Sequence, residues 1–450
     1  MVKFKKTPFL AAVFACLLGI SCDTPTSGGG SENRTSPDTI LDTANFYAID
    51  YSSNSYYKIT ADKKAEGQKC EIWVEKDGDV TSSDARAIAA EFDKNIYPII
   101  KNTFGIVSIN GTQMDALEIG DVNKDGRVLL LLMDIKEGVS TDGSYVAGLF
   151  DPYDLLNYPY SNKVDMLYID INPGKTKSSQ FYAVIAHELQ HLIHFALDKE
   201  LRVEGLQIYQ QDHWLDEGLS TAAEYLYFKN RGSDYTDRVE QFNADSNVAR
   251  GNTFFVWEGL LADYATVYLF FQWLRIQSGD VQIYRDILTS TKRDYTAVMD
   301  AAATAKITAA GTWETLLGAW FRANYNPKTG YNEEINPVVQ YASGGSIGLK
   351  PGEGIYSGVP ASPPSKTNIS YEELPGPKAL TFNSNPNNKG GSVEVTVPAS
   401  QLPASTASRA AAPLKPYPID VADLFGGRRP PLPAGTQEET GGYKLNPDGQ

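Results

Sequence analysis

The chain has four histidines, and three of them lie in IAHELQHLIHF, residues 185–195. His187 and His191 are four residues apart, so in a helix they stand on one face, one turn apart. That spacing allows two imidazoles to bind one zinc ion. Glu188 is rotated about 100° from His187, beside such a metal, where it can take a proton from a water that the metal acidifies. This HExxH pattern predicts metal-assisted hydrolysis with Glu188 as general base.

The residues around this motif favour a metal site over a histidine pair that binds no metal. A solvated helix face would carry Lys and Glu, whereas the neighbours here are uncharged, as in a helix buried beneath a cleft. His194 lies a turn beyond His191, so we expect it to bond a neighbouring segment rather than the same ion. The longer pattern HExxHxxGxxH is excluded, because His194 and Leu197 occupy the positions of its glycine and third histidine. The uncharged neighbours are Ile185, Ala186, Leu189, Leu192 and Ile193.

A third protein ligand is expected from a second helical stretch, HWLDEGLSTAAEYLYFK, residues 213–229. Glu217 lies there in a small, largely apolar setting that is unusual for a carboxylate, and we predict that it binds the zinc ion. His213 shares its face and is the alternative ligand; without a metal it would be the i,i+4 partner of Glu217. The polar face of this helix holds His213, Glu217, Thr221 and Glu224.

The chain places its strand patterns before most of its helix patterns. Apolar runs predict strands at 70–75, 127–135 and 165–171. Strands followed by helices predict an α+β protein, with an N-terminal sheet lobe, a C-terminal helical lobe and the histidine helix between them. The predicted helices cover residues 83–101, 179–198, 213–229, 259–277, 281–290 and 313–323. The expected helix caps are Ser82 or Ser83, Ser178 or Ser179, and Asp212, with Gly232 just past the end of the third helix.

The first residues resemble an export signal. Lysines precede the apolar run FLAAVFACLLGI, which is shorter than the roughly 20 residues that span a bilayer. Cys22 lies where a bacterial lipoprotein carries its acyl chains, and the Ser/Gly-rich residues after it are typical of a flexible tether. An ordinary secretory signal with a chance cysteine is the alternative. We predict a signal peptide at 1–21, a tether at 22–43, and an exported protein that is lipid-anchored to a bacterial membrane.

The remainder divides by composition. Residues 44–335 have regular apolar patterns and all six tryptophans, and we predict one folded domain there. Residues 336–450 are Pro- and Gly-rich, which predicts a small β-module around SVEVTVP (392–398) and then a disordered tail. The net charge of −15 excludes nucleic acid as a partner. Cys70 is expected to be a small buried residue, and it has no partner for a disulfide once the cysteines of the signal region are set aside.

The stretch DVNKDGR, residues 121–127, suggests a second cation, Ca²⁺. It spaces Asp121, Asn123 and Asp125 like the first half of a calcium-binding loop. Leu132 stands at the twelfth position, where such a loop needs a bidentate glutamate. A turn held by Asx side chains ahead of a strand is therefore an equally good interpretation.

The two helical stretches, HELQHLIHF and HWLDEGLSTAAEYL, together resemble the hyicolysin family of bacterial neutral metallopeptidases, in the gluzincin class of zinc proteases. The resemblance extends upstream to GQKCEIWVE and downstream to DYATVYLFFQWLRIQSG, and covers about residues 65–280. It implies a zincin-like two-lobed fold, Zn²⁺ on His187, His191 and Glu217, Glu188 as catalytic base, and cleavage of internal peptide bonds.

Further roles follow from the same resemblance. Gluzincins generally take the donor to the oxyanion from a Tyr or His after the third ligand, which implies Tyr264, with Tyr268 and His213 as alternatives. Asp216 is the nearest acid in sequence that could orient a ligand imidazole. The substrate of such enzymes lies along an edge strand, for which we predict SYVAGLF, residues 144–150.

Three functions compete on this evidence. The leading prediction is a membrane-tethered zinc endopeptidase that cleaves proteins or peptides outside the cytoplasm. An aminopeptidase would need a site for a free amino terminus, and the GxMEN stretch of gluzincin aminopeptidases is missing from the sequence. A surface adhesin or binding lipoprotein with a structural zinc ion is the alternative from another class. Glu188 weighs against it, because a structural metal site needs no general base.

Overall fold

The computed structural model of the chain describes residues 2–5, 39–53, 55–136, 144–172, 174–204, 207–252, 254, 257–340, 347–349, 354, 356, 369–371, 381–384 and 393–396. Cys22, most of the predicted signal peptide and tether, and most of residues 336–450 therefore lie outside the described residues. No helix in the described ranges is both long and apolar enough to cross a membrane.

Seven of the described strands form one mixed sheet, and the other eight form four two-stranded sheets. In chain order the strands are β1 (Val2–Lys5), β2 (Asp42–Asp50), β3 (Ser55–Glu66), β4 (Cys70–Glu75), β5 (Ile106–Ile109), β6 (Thr112–Asp115), β7 (Val128–Met133), β8 (Ser144–Leu149), β9 (Met166–Asp170), β10 (Val203–Glu204), β11 (Gln207–Ile208), β12 (Ile347–Leu349), β13 (Ile369–Tyr371), β14 (Thr381–Ser384) and β15 (Val393–Thr396). Within the described ranges the large sheet has the order β1-β8-β9-β7-β4-β3-β2. Its central strands β4, β7 and β9 are parallel, and the outer pairs are antiparallel.

The central strand β7 explains why its sequence is apolar throughout. Every residue of VLLLLM is buried, since β4 and β9 pair with both edges and both faces of the strand are covered. The strands predicted at 70–75, 127–135 and 165–171 are confirmed as β4, β7 and β9.

One edge of the sheet is a hairpin that the sequence patterns did not reveal. β2 and β3 pair along their lengths, from Asp42 opposite Lys63 to Asp50 opposite Ser55. The neighbouring residues Ala48 and Ile49 are both buried, as are Ala61 and Asp62, so the alternation between core and solvent is broken in the sequence. Because β2 starts at Asp42, the last residues of the predicted tether are part of the sheet.

The strand predicted to bind a substrate, β8, is second from the opposite edge of the sheet. It pairs with β9 through Gly148 and Leu149. Its outer edge is paired, antiparallel, with β1, so that Val2 lies opposite Gly148 and Lys5 opposite Ser144. β8 is thus the outermost strand apart from this short segment of the predicted signal peptide.

Helices make up most of the described residues between Ser179 and Gly330. They are α1 (Ser82–Glu91), α2 (Tyr97–Ile100), α3 (Ala116–Gly120), α4 (Ser179–Leu201), α5 (His213–Asn230), α6 (Asp237–Ala244), α7 (Ser246–Ala249), α8 (Leu261–Ser278), α9 (Gln282–Leu288), α10 (Tyr295–Thr304), α11 (Trp313–Tyr325) and α12 (Pro327–Gly330). The structure is therefore a mixed α+β protein, as predicted, and its division into two lobes stays a prediction.

One of the predicted helix caps was wrong. Thr81, rather than Ser82 or Ser83, caps α1, because it forms a reciprocal capping box with Asp84. Asp212 precedes α5 but makes no side-chain capping hydrogen bond. The helix predicted at 83–101 is also irregular: π-helical turns at Phe92–Ile96 and Lys101–Gly105 flank α2, where Pro98 lacks an N–H to donate.

Residues beyond the predicted domain end at 335 still contact the body. The Tyr356 hydroxyl donates to the carbonyl of Phe321 (2.9 Å), and Gly354 N–H donates to the carbonyl of Gly251 (3.1 Å). Part of SVEVTVP forms β15, which pairs antiparallel with β14.

Candidate metal centre

Helix α4 carries the HExxH motif into the interior. The Ser178 hydroxyl, one of the two predicted caps, accepts a hydrogen bond from Phe181 N–H (3.1 Å) and starts the helix just after the sheet. Residues 183–198 are buried without interruption. The uncharged residues around the motif are thus core residues, as predicted, and they hold the motif against the sheet.

The structure brings the three predicted zinc ligands together. One ligand atom each from His187, His191 and Glu217 lies within 4.8 Å of the other two, and all three residues are buried. Glu217 Oε2 is 3.2 Å from His187 Nε2 and 3.8 Å from His191 Nε2. Among the described residues, this is the set of three such groups that meets so closely.

These residues fit a zinc ion. Two imidazole nitrogens and one carboxylate oxygen are ligands that zinc takes in hydrolytic sites, where a fourth position stays open. Both Nε2 atoms are buried and make no hydrogen bond, although leaving buried polar atoms unbonded is costly. A bound cation would satisfy them.

Glycine at 218 allows the third ligand to come this close. α5 packs between α4 and α8, and a Cβ on Gly218 would lie 2.2–2.6 Å from ring atoms of Phe271 on α8. A larger residue next to Glu217 would push the two helices apart. The small setting of Glu217, noted in the sequence, is thus a packing requirement of α5.

A buried ion pair stands behind His187. His187 Nδ1 donates to Glu224 Oε1 (2.7 Å), which fixes the ring so that Nε2 faces Glu217. Arg238 donates to both oxygens of Glu224, at 2.8 and 3.1 Å, and the Tyr235 hydroxyl donates to it as well. Burial alone would raise the pKa of Glu224, but the charge of Arg238 outweighs it and holds this pKa at about 2. The sequence placed Glu224 on the polar face of α5 without indicating this role.

Asp216 lies behind the second histidine. Its Oδ1 is 2.9 Å from His191 Nδ1 and 2.7 Å from His194 Nδ1. His194 Nε2 in turn donates to Gln211 Oε1 (2.9 Å), so His194 bonds a neighbouring segment, as predicted. Burial would raise the pKa of Asp216, and the two histidines instead hold it well below its usual range. The carboxylate that orients His191 is therefore itself held by His194.

Glu188, unlike the two histidines, has no neighbouring side chain that holds it by a hydrogen bond in the described part of the chain. Its side chain is fully buried, yet neither carboxylate oxygen has a hydrogen-bond partner in the described part of the chain. Strand β8 passes directly over it, because a Cβ on Gly148 would lie 3.1 Å from Glu188 Oε1 and 2.5 Å from Val184 Cγ1. Tyr51 lies close enough that burial first, and the charges of Asp151 and Glu188 next, raise the pKa of its hydroxyl well above its usual range. No signal in the sequence pointed to Tyr51.

The predicted oxyanion donors are placed at different distances from this centre. The Tyr264 hydroxyl is 3.5 Å from Glu217 Oε1, and His213 Nε2 is also 3.5 Å from that oxygen. His213 is thus the i,i+4 neighbour of Glu217, outside the three-residue set. Tyr268 donates instead to the carbonyl of Tyr235, at 3.5 Å, and faces the interior of the helical region.

Beside the three ligands lies an open cleft, and His191 and Glu217 are among its lining residues. It reaches from the end of β8 to the start of α5, so the metal centre is accessible from the surface. Its walls are formed by Phe150, Pro152, His191, His194, Phe195, Asp198, Gln210, His213, Asp216 and Glu217. The predicted calcium residues Asp121, Asn123 and Asp125 lie elsewhere, in the turn that leads into β7.

A comparison with curated proteins gives a relative with a known name. The neutral metalloprotease ShpI of Staphylococcus hyicus is 33% identical over 271 residues, which span 57% of this chain and 57% of ShpI. This chain is similar to a neutral metalloprotease. The matched part is little more than half the length of ShpI, and no family model matches the chain.

Among solved structures, the M1 zinc metallopeptidase from Deinococcus radiodurans matches 62% of this chain and 51% of that chain, with 14% identity and a TM-score of 0.30. A TM-score this low carries no inference about fold or function.

Proposed function

We propose that this protein is a zinc-dependent endopeptidase that hydrolyses internal peptide bonds of proteins outside the cytoplasm. The observation that carries the proposal is the state of Glu188, a fully buried carboxylate with no hydrogen-bond partner for either oxygen, next to three convergent zinc ligands. Burying an unpaired carboxylate costs several kcal/mol in effect. A protein that needed zinc for structure alone would be more stable with an uncharged residue in place of Glu188, which argues against the adhesin alternative.

Each residue of the centre has a role in this proposal. When bound, zinc supplies a Lewis acid that polarises the scissile carbonyl and acidifies a water. Glu188 accepts the proton of the attacking water and delivers it to the leaving amine. His187, His191 and Glu217 hold the ion. The Tyr264 hydroxyl, next to Glu217, is the proposed donor to the oxyanion.

The geometry around β8 supports a substrate bound as an added strand. β8 passes over Glu188, and its outer edge already pairs antiparallel with the four residues of β1. A peptide in the same place would gain main-chain hydrogen bonds whatever its side chains. β8 runs from Ser144 to Leu149, so most of a strand added along it would lie on the Ser144 side of Gly148.

The proposed location rests on the sequence of the first residues. The basic residues, the apolar run and Cys22 support export and attachment of acyl chains to Cys22. In bacterial cells grown with labelled palmitate, the parent protein should become labelled and fractionate with membranes. The Cys22→Ala variant should remain unlabelled and should not fractionate with membranes. Equal labelling of both proteins would remove the lipid anchor from the proposal.

Hydrolysis of unfolded casein by the full chain tests the activity. Glu188→Gln keeps the shape of the side chain but removes the base, so kcat/KM should fall by about 10²–10⁴-fold. Glu200→Gln makes the same chemical change at an exposed position of α4 and should leave the rate unchanged. Zinc content is measured in all three proteins. Equal rates in the parent and Glu188→Gln, or no hydrolysis by a zinc-loaded parent, would contradict the proposal.

A further inference from the structure

Asp165 is a second buried carboxylate that the metal centre does not use. It is the residue just before β9, it is 2% exposed, and its Oδ1 has no hydrogen-bond partner among the described residues. A carboxylate in such a place is stable when it is protonated or when a cation lies beside it.

The loop DVNKDGR, which is spaced like the first half of a calcium-binding loop, lies next to this carboxylate. β7 follows the loop directly and pairs with β9, and Leu129 N–H donates to the carbonyl of Asp165 (2.9 Å). Burial raises the pKa of Asp165 to about 8, and the charges of Asp121 and Asp125 add to this effect. Because β7 and β9 are parallel neighbours, Asp165 lies at the end of the sheet where the loop enters β7. Arg127, the last residue of the loop, pairs with Glu66, with Nη2 2.9 Å from its Oε1.

We propose that Asp121, Asn123, Asp125 and Asp165 bind a calcium ion. Asp165, which comes from the neighbouring strand, takes the place of the glutamate that the loop lacks at its twelfth position. All four side chains offer oxygen atoms, the ligands that calcium prefers, and a flexible loop suits its variable coordination better than that of magnesium.

The loop must close further around the ion. Within the described residues, the zinc set is the one group of three His, Cys, Asp or Glu ligand atoms that lies within 4.8 Å. In the structure Asp121 instead accepts hydrogen bonds from Asp125 N–H (3.2 Å) and Gly126 N–H (3.0 Å), which hold the turn in shape. The ion would link the loop ahead of β7 to the start of β9. Its role is to stabilise two central strands, not to take part in hydrolysis.

Calcium binding is measured on the zinc-loaded full chain by equilibrium dialysis with radioactive calcium, with zinc content checked before and after. The parent should bind one calcium ion per chain, and Asp165→Asn should weaken its affinity at least tenfold. The matched control is Asp134→Asn, which removes the same charge from an exposed residue just past the other end of β7, and it should bind like the parent.

Thermal unfolding supplies a second readout. An aspartate with only a structural role would not make the response of the Tm to calcium depend on residue 165. Calcium should raise the Tm of the parent by several degrees, and magnesium should raise it less. Asp165→Asn should be at least as stable as the parent without calcium, because it removes an unpaired buried acid, yet it should gain nothing from calcium.

Asp125→Asn, a change at an exposed loop residue, decides the question if Asp165→Asn does not fold. It should weaken calcium binding in the same way. A parent that binds no calcium, variants that bind it as tightly as the parent, or equal responses to calcium and magnesium would overturn the inference. None of these outcomes depends on peptidase activity.

Discussion

At the scale of single residues, the two histidines of the centre are held in different ways. Glu224 holds His187 and forms an ion pair with a fully buried Arg238, which keeps this carboxylate ionised in the core. Asp216 holds His191 and is shared with His194, next to the open cleft. In both cases the contact is made through Nδ1, which leaves Nε2 of each ring directed towards Glu217.

Replacing Asp216 with Asn should weaken zinc binding without unfolding the protein. The amide keeps the size of the side chain but loses the charge that orients His191, and such changes typically cost 10–100-fold in metal affinity. Competition with a chelator of known zinc affinity measures the effect. Asp234→Asn, at an exposed position, should bind zinc like the parent. An unchanged affinity in Asp216→Asn would show that Ser220, 3.1 Å from His191 Nδ1, is sufficient to orient the ring.

The sequence predicts the ligands better than the residues that hold them. His187, Glu188 and His191 are related by helical spacing, which any single helix preserves. The contacts of Glu224 and Asp216 depend instead on how α5 packs against α4, and on an arginine that lies on a third helix, α6. No local pattern encodes that arrangement, so Glu224 appeared in the sequence as an ordinary member of a polar helix face, and Asp216 was indicated only as the nearest acid in sequence.

At the scale of elements, strand β8 and helix α4 meet at a glycine. A Cβ on Gly148 would lie 2.5 Å from Val184 Cγ1 and 3.1 Å from Glu188 Cγ, so the strand or the base must move. A misplacement of about 1 Å can cost 100-fold in rate. We therefore expect Gly148→Ala to lower kcat/KM by about 100-fold with its zinc content intact.

The matched control for this change is Gly111→Ala. Gly111 lies at the tip of the β5–β6 hairpin with φ of 80°, and nothing lies within 4 Å of its added Cβ. This variant should lose about 1 kcal/mol of stability from backbone strain and retain its activity. If Gly148→Ala retained full activity as well, β8 would not be packed against the base as tightly as the structure has it.

A pair of buried acids anchors the chain just after β8. Asp151 accepts from the Tyr56 hydroxyl (3.0 Å), and Asp154 accepts from the Tyr168 hydroxyl (2.6 Å) and from Asn162 N–H (2.6 Å). Burial raises the pKa of Asp151 to about 7; burial, and then the charge of Asp151, raise that of Asp154 well above its usual range. The folded chain therefore holds protons here that the unfolded chain releases at about pH 4.

The contribution of these two acids to stability should accordingly fall as pH rises from about 4 to about 7, because they bind more protons in the folded state over that range. Asp154→Asn removes one of the two titrating groups and leaves the shape of the side chain nearly unchanged. The urea midpoint of this variant should change less with pH than that of the parent. A parent and variant with the same pH dependence would show that these acids ionise normally in the folded chain.

The elements themselves were predictable where one physical pattern dominated. β7 is apolar throughout, and Glu188 is the one Asp, Glu, Lys or Arg in α4 between Ser179 and Leu197, so composition alone indicates burial. The β2–β3 hairpin was missed, because adjacent residues in both strands are buried and this breaks the period-two signal. The cap of α1 was misplaced by one residue, since Thr81 and both serines after it are plausible caps until the capping box with Asp84 forms.

At the scale of the whole molecule, the metal joins parts of the chain that the sheet and the helices position separately. α4 follows β9 and lies under the sheet, whereas α5 is held from behind by α8. The zinc ligands lie on both helices, and the base on α4 is covered by β8. Four buried polar side chains therefore meet at one point, and their cost to the fold is offset when a cation is bound.

Removing zinc should therefore destabilise the whole protein. A ligand that binds the folded chain alone stabilises it by about 2.7 kcal/mol at 100 times its Kd, and by about 1.4 kcal/mol more for each further tenfold of free metal. Urea unfolding is followed in zinc buffers and with 1,10-phenanthroline, which removes zinc and leaves a calcium site unaffected. The urea midpoint of the parent should rise with free zinc, and its free energy of unfolding should increase by the amounts given above. His191→Ala lacks one ligand, so its midpoint should hardly respond. Equal responses in the two proteins would place the stabilising zinc at a different site, and the convergence of α4 and α5 would then need no metal.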